Sequence, residues 1–191
     1  MKLYKYKNYD EYVKMQIIKN EKKIKLVWVK NHELILISKK IKQYIPGAKF
    51  GICHGVRNAW EVKRLKELLK IEILGTEIAP SATRFPNTIQ WDFHKIKDEW
   101  KNNVYFIYRN SFDHSYDPIM SLDSWMKCIK KEKGICFIHW MKTNADKIDT
   151  ADCFAGTIKD YRKMFNKKYK VVEEFGKKGR VVFAIKHKPE G

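Results

Sequence analysis

The sequence predicts an α/β fold: a doubly wound, seven-stranded sheet with its last strand antiparallel, preceded by a helical extension. Three observations carry this. From residue 49 onward, short apolar segments alternate with amphipathic ones, the pattern of βα units with right-handed crossovers. The run 104–108 is apolar without a break, as in a parallel strand covered on both faces. The last two strand-like segments, 169–175 and 180–187, are separated by a short turn containing Gly176 and Gly179, which makes that pair an antiparallel hairpin.

The elements follow in order. Residues 10–25 form a helix, with Tyr12, Val13, Gln16, Ile17 and Ile24 at helical spacing. Residues 31–44 form a second, with Leu34, Ile35, Ile37, Ser38 and Ile41 inward, stopped by Pro46-Gly47. Strand 49–53 leads through a glycine turn to a helix capped by Asn58 and running to Leu69, with Val62, Leu65 and Leu68 on one face. Strands 71–78, 88–91, 104–108 and 134–140 follow, with a helix capped by Ser121 before the last of them. Thr157-Ile158-Lys159-Asp160 is a capping box that opens the final helix. Residues 1–46 are thus an extension and 47–191 the main domain.

At 191 residues the chain suffices for one domain with a substantial core. A 44% hydrophobic and 14% aromatic composition excludes a disordered tail. No apolar run approaches the roughly 20 residues that span a bilayer, and Met1–Lys7 lacks the apolar segment of a secretory signal, so a cytoplasmic protein is expected. Cys53, Cys128, Cys136 and Cys153 have neither C-x-x-C spacing nor a zinc-finger partner, which predicts reduced thiols and no structural metal. The net charge of +18 is unevenly spread: residues 1–49 carry 13 Lys against 4 acids, 157–191 carry 11 basic residues against 4, and the middle is nearly neutral. Basic ends suit phosphate-bearing partners. Yet only six of the 40 basic residues are Arg, the side chain that leads in bidentate phosphate recognition.

The chemistry gathers at strand ends. Gly51 and Gly55 flank a turn containing Cys53 and His54, where absent Cβ atoms let backbone approach a ligand. The G-x-G-x-x-G pattern of pyrophosphate sites is not met, since Cys53 and Val56 occupy its second and third glycine places. The turn therefore suits a ligand without phosphates. Glu77 ends the second strand, where a carboxylate accepts from ribose hydroxyls. Asp92 ends the third, placed to accept from an adenine amino group, with Ile78, Trp91 and Phe93 as candidate walls.

With those residues in that order, the stretch 46–188 resembles the class I S-adenosylmethionine-dependent methyltransferases. Residues 51–57 are similar to their first motif, with Cys53 where glycine is commonest. Glu77 is similar to their ribose acid, Asp92 to the acid near adenine, and 103–111 to their fourth motif. The closing hairpin resembles the antiparallel last strand of their Rossmann-like sheet. The resemblance implies an enzyme that binds S-adenosyl-L-methionine through Gly51, Cys53, His54, Gly55, Glu77, Ile78, Asp92, Phe93 and Asn110, and moves its methyl group in line onto a nucleophile. No catalytic role is carried to Asn102-Asn103, where the family commonly has an acid.

A base is needed when the nucleophile must lose a proton. The loop 108–118 follows the fourth strand at the carboxyl edge. Asp113 and His114 are its first candidates for proton handling. His139 and Trp140, ending the fifth strand, are expected to line the acceptor pocket and His94 to bond locally with Asp92; Trp28 and Tyr44 are candidates for a lid, although single aromatics at helical spacing are more often core. No metal site is expected. The reading predicts a small-molecule or sugar acceptor. The alternatives are an RNA or DNA methyltransferase tracking phosphates along the basic ends, or a cofactor-binding module without catalysis. The loop is not N-P-P-Y, which counts against an adenine-N6 acceptor.

Overall fold

A computed structural model describes residues 1–189. Strands β1 (Lys2–Leu3), β2 (Phe50–His54), β3 (Glu72–Glu77), β4 (Thr88–Gln90), β5 (Phe106–Arg109), β6 (Ile135–Met141), β7 (Phe154–Ala155), β8 (Lys170–Lys177) and β9 (Arg180–Lys186) accompany helices α1 (Tyr9–Lys22), α2 (Asn31–Tyr44), α3 (Trp60–Leu69), α4 (Pro118–Cys128) and α5 (Ile158–Lys168). The main sheet has seven strands in the order β4-β3-β2-β5-β6-β9-β8. β2 to β6 pair in parallel, while β9 runs antiparallel to both β6 and β8. The chain winds outward from β2 through β3 to β4, then returns to place β5 on the other side of β2. That reversal opens a crevice at the carboxyl ends of β2 and β5, where open α/β sheets bind ligands.

Strand alternation builds the two layers. Ile52, Ile107, Ile138 and Phe183 face Leu122 and Trp125 of α4 and Tyr161 and Phe165 of α5. Cys53, Phe106, Tyr108, Phe137 and Val182 face Leu34, Ile37 and Ile41 of α2 and Val62 and Leu65 of α3. Each large apolar side chain so buried contributes about 1.5–3 kcal/mol. β1 pairs with β7, tying the chain's start to the loop region beyond β6. The four cysteines are buried and unpaired. No helix among the described residues is long and apolar enough to cross a membrane.

Two helix starts differ from the expectation. α4 is capped by Asp117, which accepts from the amides of Ile119 and Met120, with Pro118 in the first turn. Ser121 lies inside the helix, because Pro118 tolerates the first turn, where its missing N–H costs nothing. α3 starts at Trp60 after Ala59 in the left-handed region, φ 57°. Asn58, one residue earlier, still accepts from the Trp60 amide at 3.4 Å, while its amide nitrogen donates to the carbonyls of Ile24 and Leu26 and holds the α1–α2 connection. The Thr157–Asp160 box forms as expected.

Candidate functional site

The turn after β2 begins at Gly55, φ 66°. A Cβ there would collide with the Ser111 hydroxyl, which donates to the Gly55 carbonyl across the crevice at 3.5 Å. The hydroxyl could turn aside, so it is the left-handed backbone at Gly55 that calls for glycine. Gly51 serves differently. It lies within β2, and a Cβ on it would enter the Phe106 ring, so its smallness is a packing requirement of the sheet. Cys53 and His54 also belong to the strand rather than to the turn. Cys53 packs in the layer under α3. His54 lies on the opposite face, its Nδ1 2.7 Å from Thr76 Oγ1 and its ring near Trp125.

Glu77, 4% exposed, ties the crevice together. Its Oε2 accepts from the Arg57 amide at 2.8 Å and its Oε1 from the Ile78 amide at 2.8 Å. The end of β3 is therefore joined to the turn after β2. Asp92 follows β4 on the same edge. It accepts from the Tyr9 hydroxyl at 2.5 Å and from the amide and Nδ1 of His94, so the expected partnership with His94 is present. Burial raises the Asp92 carboxyl, but the bonds from His94 and Tyr9 outweigh it and hold it at about 2.

Four side chains not expected at the site, Tyr12, Gln16, Arg57 and Arg109, line the crevice. Arg109, fully buried, lays its guanidinium 3.4 Å from the Phe93 ring centre and 4.9 Å from that of Trp125. One of its amino groups donates to the Ser111 carbonyl, while its Nε and Nη1 have no hydrogen-bond partner among the described residues. Arg57 Nε and Asn110 Oδ1 are likewise buried without one. Helix α1 supplies the cover: Tyr12 donates to the His114 carbonyl, and Gln16 bonds both His114 and the Ala151 carbonyl. Tyr12 and Gln16 were legible as the inward face of that helix, but nothing in the sequence says what the face covers.

Two cavities meet at Gly55, Arg57, Ser111 and His114. A nook of about 40 Å³ lies beside Glu77, Ile78 and Phe93 under α1. A wider cavity of about 310 Å³ opens toward Trp28, Glu61, Asn110, Asp113 and Met141. On its wall Asp113 accepts from Asn144, and His114 Nε2 lies 3.2 Å from Asp152. The ligand atoms of Asp113, His114 and Asp152 lie within 4.8 Å of one another. This trio spans two loops, so spacing in the sequence does not reveal it.

The expected acceptor residues on β6 sit elsewhere. That strand runs one residue further than read, to Met141, and Met141 reaches the 310 Å³ cavity. Alternation puts His139 under α2, lining a separate cavity of about 430 Å³. Trp140 lies in the opposite layer with its indole N–H on the Gly156 carbonyl. Of the two lid candidates, Trp28 is 48% exposed and borders the 310 Å³ cavity. Tyr44 is bonded to Glu173, away from it.

No protein-family profile and no curated protein matches the chain. Solved structures do. The Burkholderia thailandensis 1,6-didemethyltoxoflavin-N1-methyltransferase, solved with bound 1,6-didemethyltoxoflavin and S-adenosylhomocysteine, superposes with TM-score 0.73 at 10% identity over 96% of this chain and 92% of its own. Streptomyces venezuelae DesVI gives TM-score 0.64 at 10% identity, covering 97% of this chain and 100% of that one. A SAM-dependent methyltransferase from Aquifex aeolicus gives 0.57 at 14%, covering 83% and 99%. The architecture, with its antiparallel β9 between β6 and β8, is the fold found in solved S-adenosylmethionine-dependent methyltransferases.

Proposed function

We propose that this chain binds S-adenosylmethionine in the crevice between β2 and β5 and transfers its methyl group to a small molecule. The observation that carries the reading is the Glu77 carboxylate, fixed by two backbone amides at the edge where β2, β3 and β5 end. The remaining donor set fits the same ligand. The partnerless buried nitrogens of Arg57 and Arg109 are suited to a carboxylate, and Asn110 Oδ1 to an ammonium; buried polar groups call for partners. The methionine end of the cofactor offers both. Ile78, Asp92 and Phe93 supply the adenine side. Gly51, Cys53 and His54 support the site from within β2.

When bound, the cofactor supplies an electrophilic methyl group on a sulfonium. The chain's own contribution is alignment, worth up to roughly 7–11 kcal/mol when reacting atoms are held in line. Asn110, Asp113 and His114 wall the 310 Å³ cavity in which an acceptor would sit. Its size falls at the low end of small-molecule sites, which supports a compact acceptor over a polymer. The +18 charge favours the second reading, a nucleic-acid acceptor. Calorimetry with S-adenosylmethionine and S-adenosylhomocysteine tests the first: one saturable site is expected, and no heat with either contradicts it. Titration with RNA and DNA oligomers at rising salt tests the second: steep loss of affinity marks phosphate tracking, and a lack of salt-sensitive binding removes it.

A further inference from the structure

A hydroxyl or ring N–H acceptor must release a proton, and both residues expected to handle it are occupied. His114 Nδ1 lies 2.9 Å from Gln16 Oε1, and its Nε2 3.2 Å from Asp152 Oδ1. The Gln16 amide nitrogen donates to the Ala151 carbonyl, which fixes its oxygen toward the ring. Both ring nitrogens of His114 are thus engaged by neighbouring side chains. The Asp113 carboxylate already receives the Asn144 amide.

Glu61, in the first turn of α3, borders the same 310 Å³ cavity. Among the described residues it makes no ion pair and no hydrogen bond with another side chain. Arg57 and Glu77 act on it from the turn and β3. Tyr108 of β5 and Cys53 of β2 lie within its field from below. Lys23, Arg180, Asp113, His114 and Asp152 share the cavity wall. Loss of surrounding water outweighs the attraction of Arg57 and lifts the half-buried Glu61 carboxyl to about 7, near the ideal for a base working at neutral pH.

We propose that Glu61 is the general base for the acceptor, and that the acceptor is a small planar molecule bearing a phenol-type hydroxyl or an acidic ring N–H. This rests on the methyl-transfer reading. Leu26, Val27, Trp28, Trp60 and Met141 give the cavity its apolar share, suited to one or two flat rings. A carboxylate is too weak a base for an aliphatic alcohol but matches an aryl hydroxyl. In the step, the acceptor oxygen or nitrogen forms a bond to the methyl carbon, and the sulfur–carbon bond breaks with its electron pair going to sulfur. The acceptor's proton passes to the Glu61 carboxylate. The products are the methylated acceptor, a neutral thioether and a protonated Glu61, which returns its proton to water.

The test uses the full chain, wild type and Glu61→Gln, saturated with S-adenosylhomocysteine, with 2-naphthol as the probe because its emission separates its protonated and deprotonated forms. In wild type the deprotonated emission of the bound probe should rise with a midpoint near pH 7. In Glu61→Gln that step should vanish while S-adenosylhomocysteine affinity stays within about threefold. Carbon-13 spectra of glutamate-labelled wild type, which need no variant, should contain one carboxyl titrating near neutrality. The Glu61 role falls alone if S-adenosylhomocysteine binds but no such carboxyl is seen, if the variant keeps the emission step, or if 2-naphthol does not bind. Failure of S-adenosylhomocysteine to bind wild type overturns the methyl-transfer reading, and this proposal with it.

Discussion

Glu77 holds two backbone amides from two different strand ends, so a single carboxylate both closes the crevice and presents its remaining lone pairs to it. Replacing it with Ala unmakes charge-assisted bonds worth about 1–3 kcal/mol each when buried. Glu77→Ala should therefore weaken S-adenosylhomocysteine binding by that much in calorimetry, and lower the thermal midpoint as well. Unchanged affinity in the folded variant would mean the ribose lies elsewhere. Glu77, Asp92 and Gly55 were legible in the sequence because each stands where an apolar run gives way to polar residues. Arg109 was not: it ends such a run too, but its importance comes from stacking on Phe93, a residue of another strand end. Glu61 escaped for a similar reason. As one acid on an amphipathic helix it looks solvated, and only the packing of α3 in the fold half-buries it beside the cavity.

At the scale of elements, α1 covers the nucleoside end of the crevice. The nook beneath it measures about 40 Å³, far below the few hundred Å³ typical of ligand sites. We infer that α1 shifts when a nucleoside enters. Tyr9 fastens α1 to Asp92 at 2.5 Å. Tyr9→Phe removes that tie and should speed S-adenosylhomocysteine association in stopped-flow fluorescence by several-fold. An unchanged rate would show that α1 does not gate entry. The sheet was the most legible part of the chain. Its strands are short apolar runs bounded by Gly, Asn and Pro, and the β8–β9 hairpin is announced by Gly176 and Gly179. Helix starts were less so, since Asn58 and Ser121 are good caps by type but lose the position to Ala59 and Asp117. That outcome depends on tertiary partners, in the case of Asn58 the carbonyls of Ile24 and Leu26.

For the whole molecule, burial of neutral histidines gives folding a pH dependence with a definite sign. Burial lowers His139 to about 4 and lowers His54 and His94 as well. From about 6.5, the ordinary histidine value, down toward 4 the unfolded chain binds protons that these side chains refuse. Stability should thus fall on acidification through that window, by about 1.4 kcal/mol per pH unit for each fully refusing histidine. Glu61 acts in the opposite sense: raised to about 7, it loses stabilisation as pH rises through that value. Asp92, held at about 2, contributes above its ordinary value of 3.8 and loses that contribution as pH falls toward 2. The three histidines outweigh Glu61 between pH 6.5 and 4.5. Urea unfolding across that range should show the net slope, and His139→Phe, which removes two partnerless buried nitrogens, should flatten it. A profile unaffected by the substitution would show that His139 is not the neutral, buried group described.

Cofactor binding as proposed requires the carboxyl edge of β2, β3 and β5 to form one ligand crevice. Amide proton–nitrogen spectra recorded during titration with S-adenosylhomocysteine test this most directly. The expected result is saturable shifts at Gly55, Arg57, Ile78 and Ser111, all with one dissociation constant. Shifts centred instead on the separate groove of about 790 Å³ along Trp60, Lys66 and Phe85, or none at all, would contradict it.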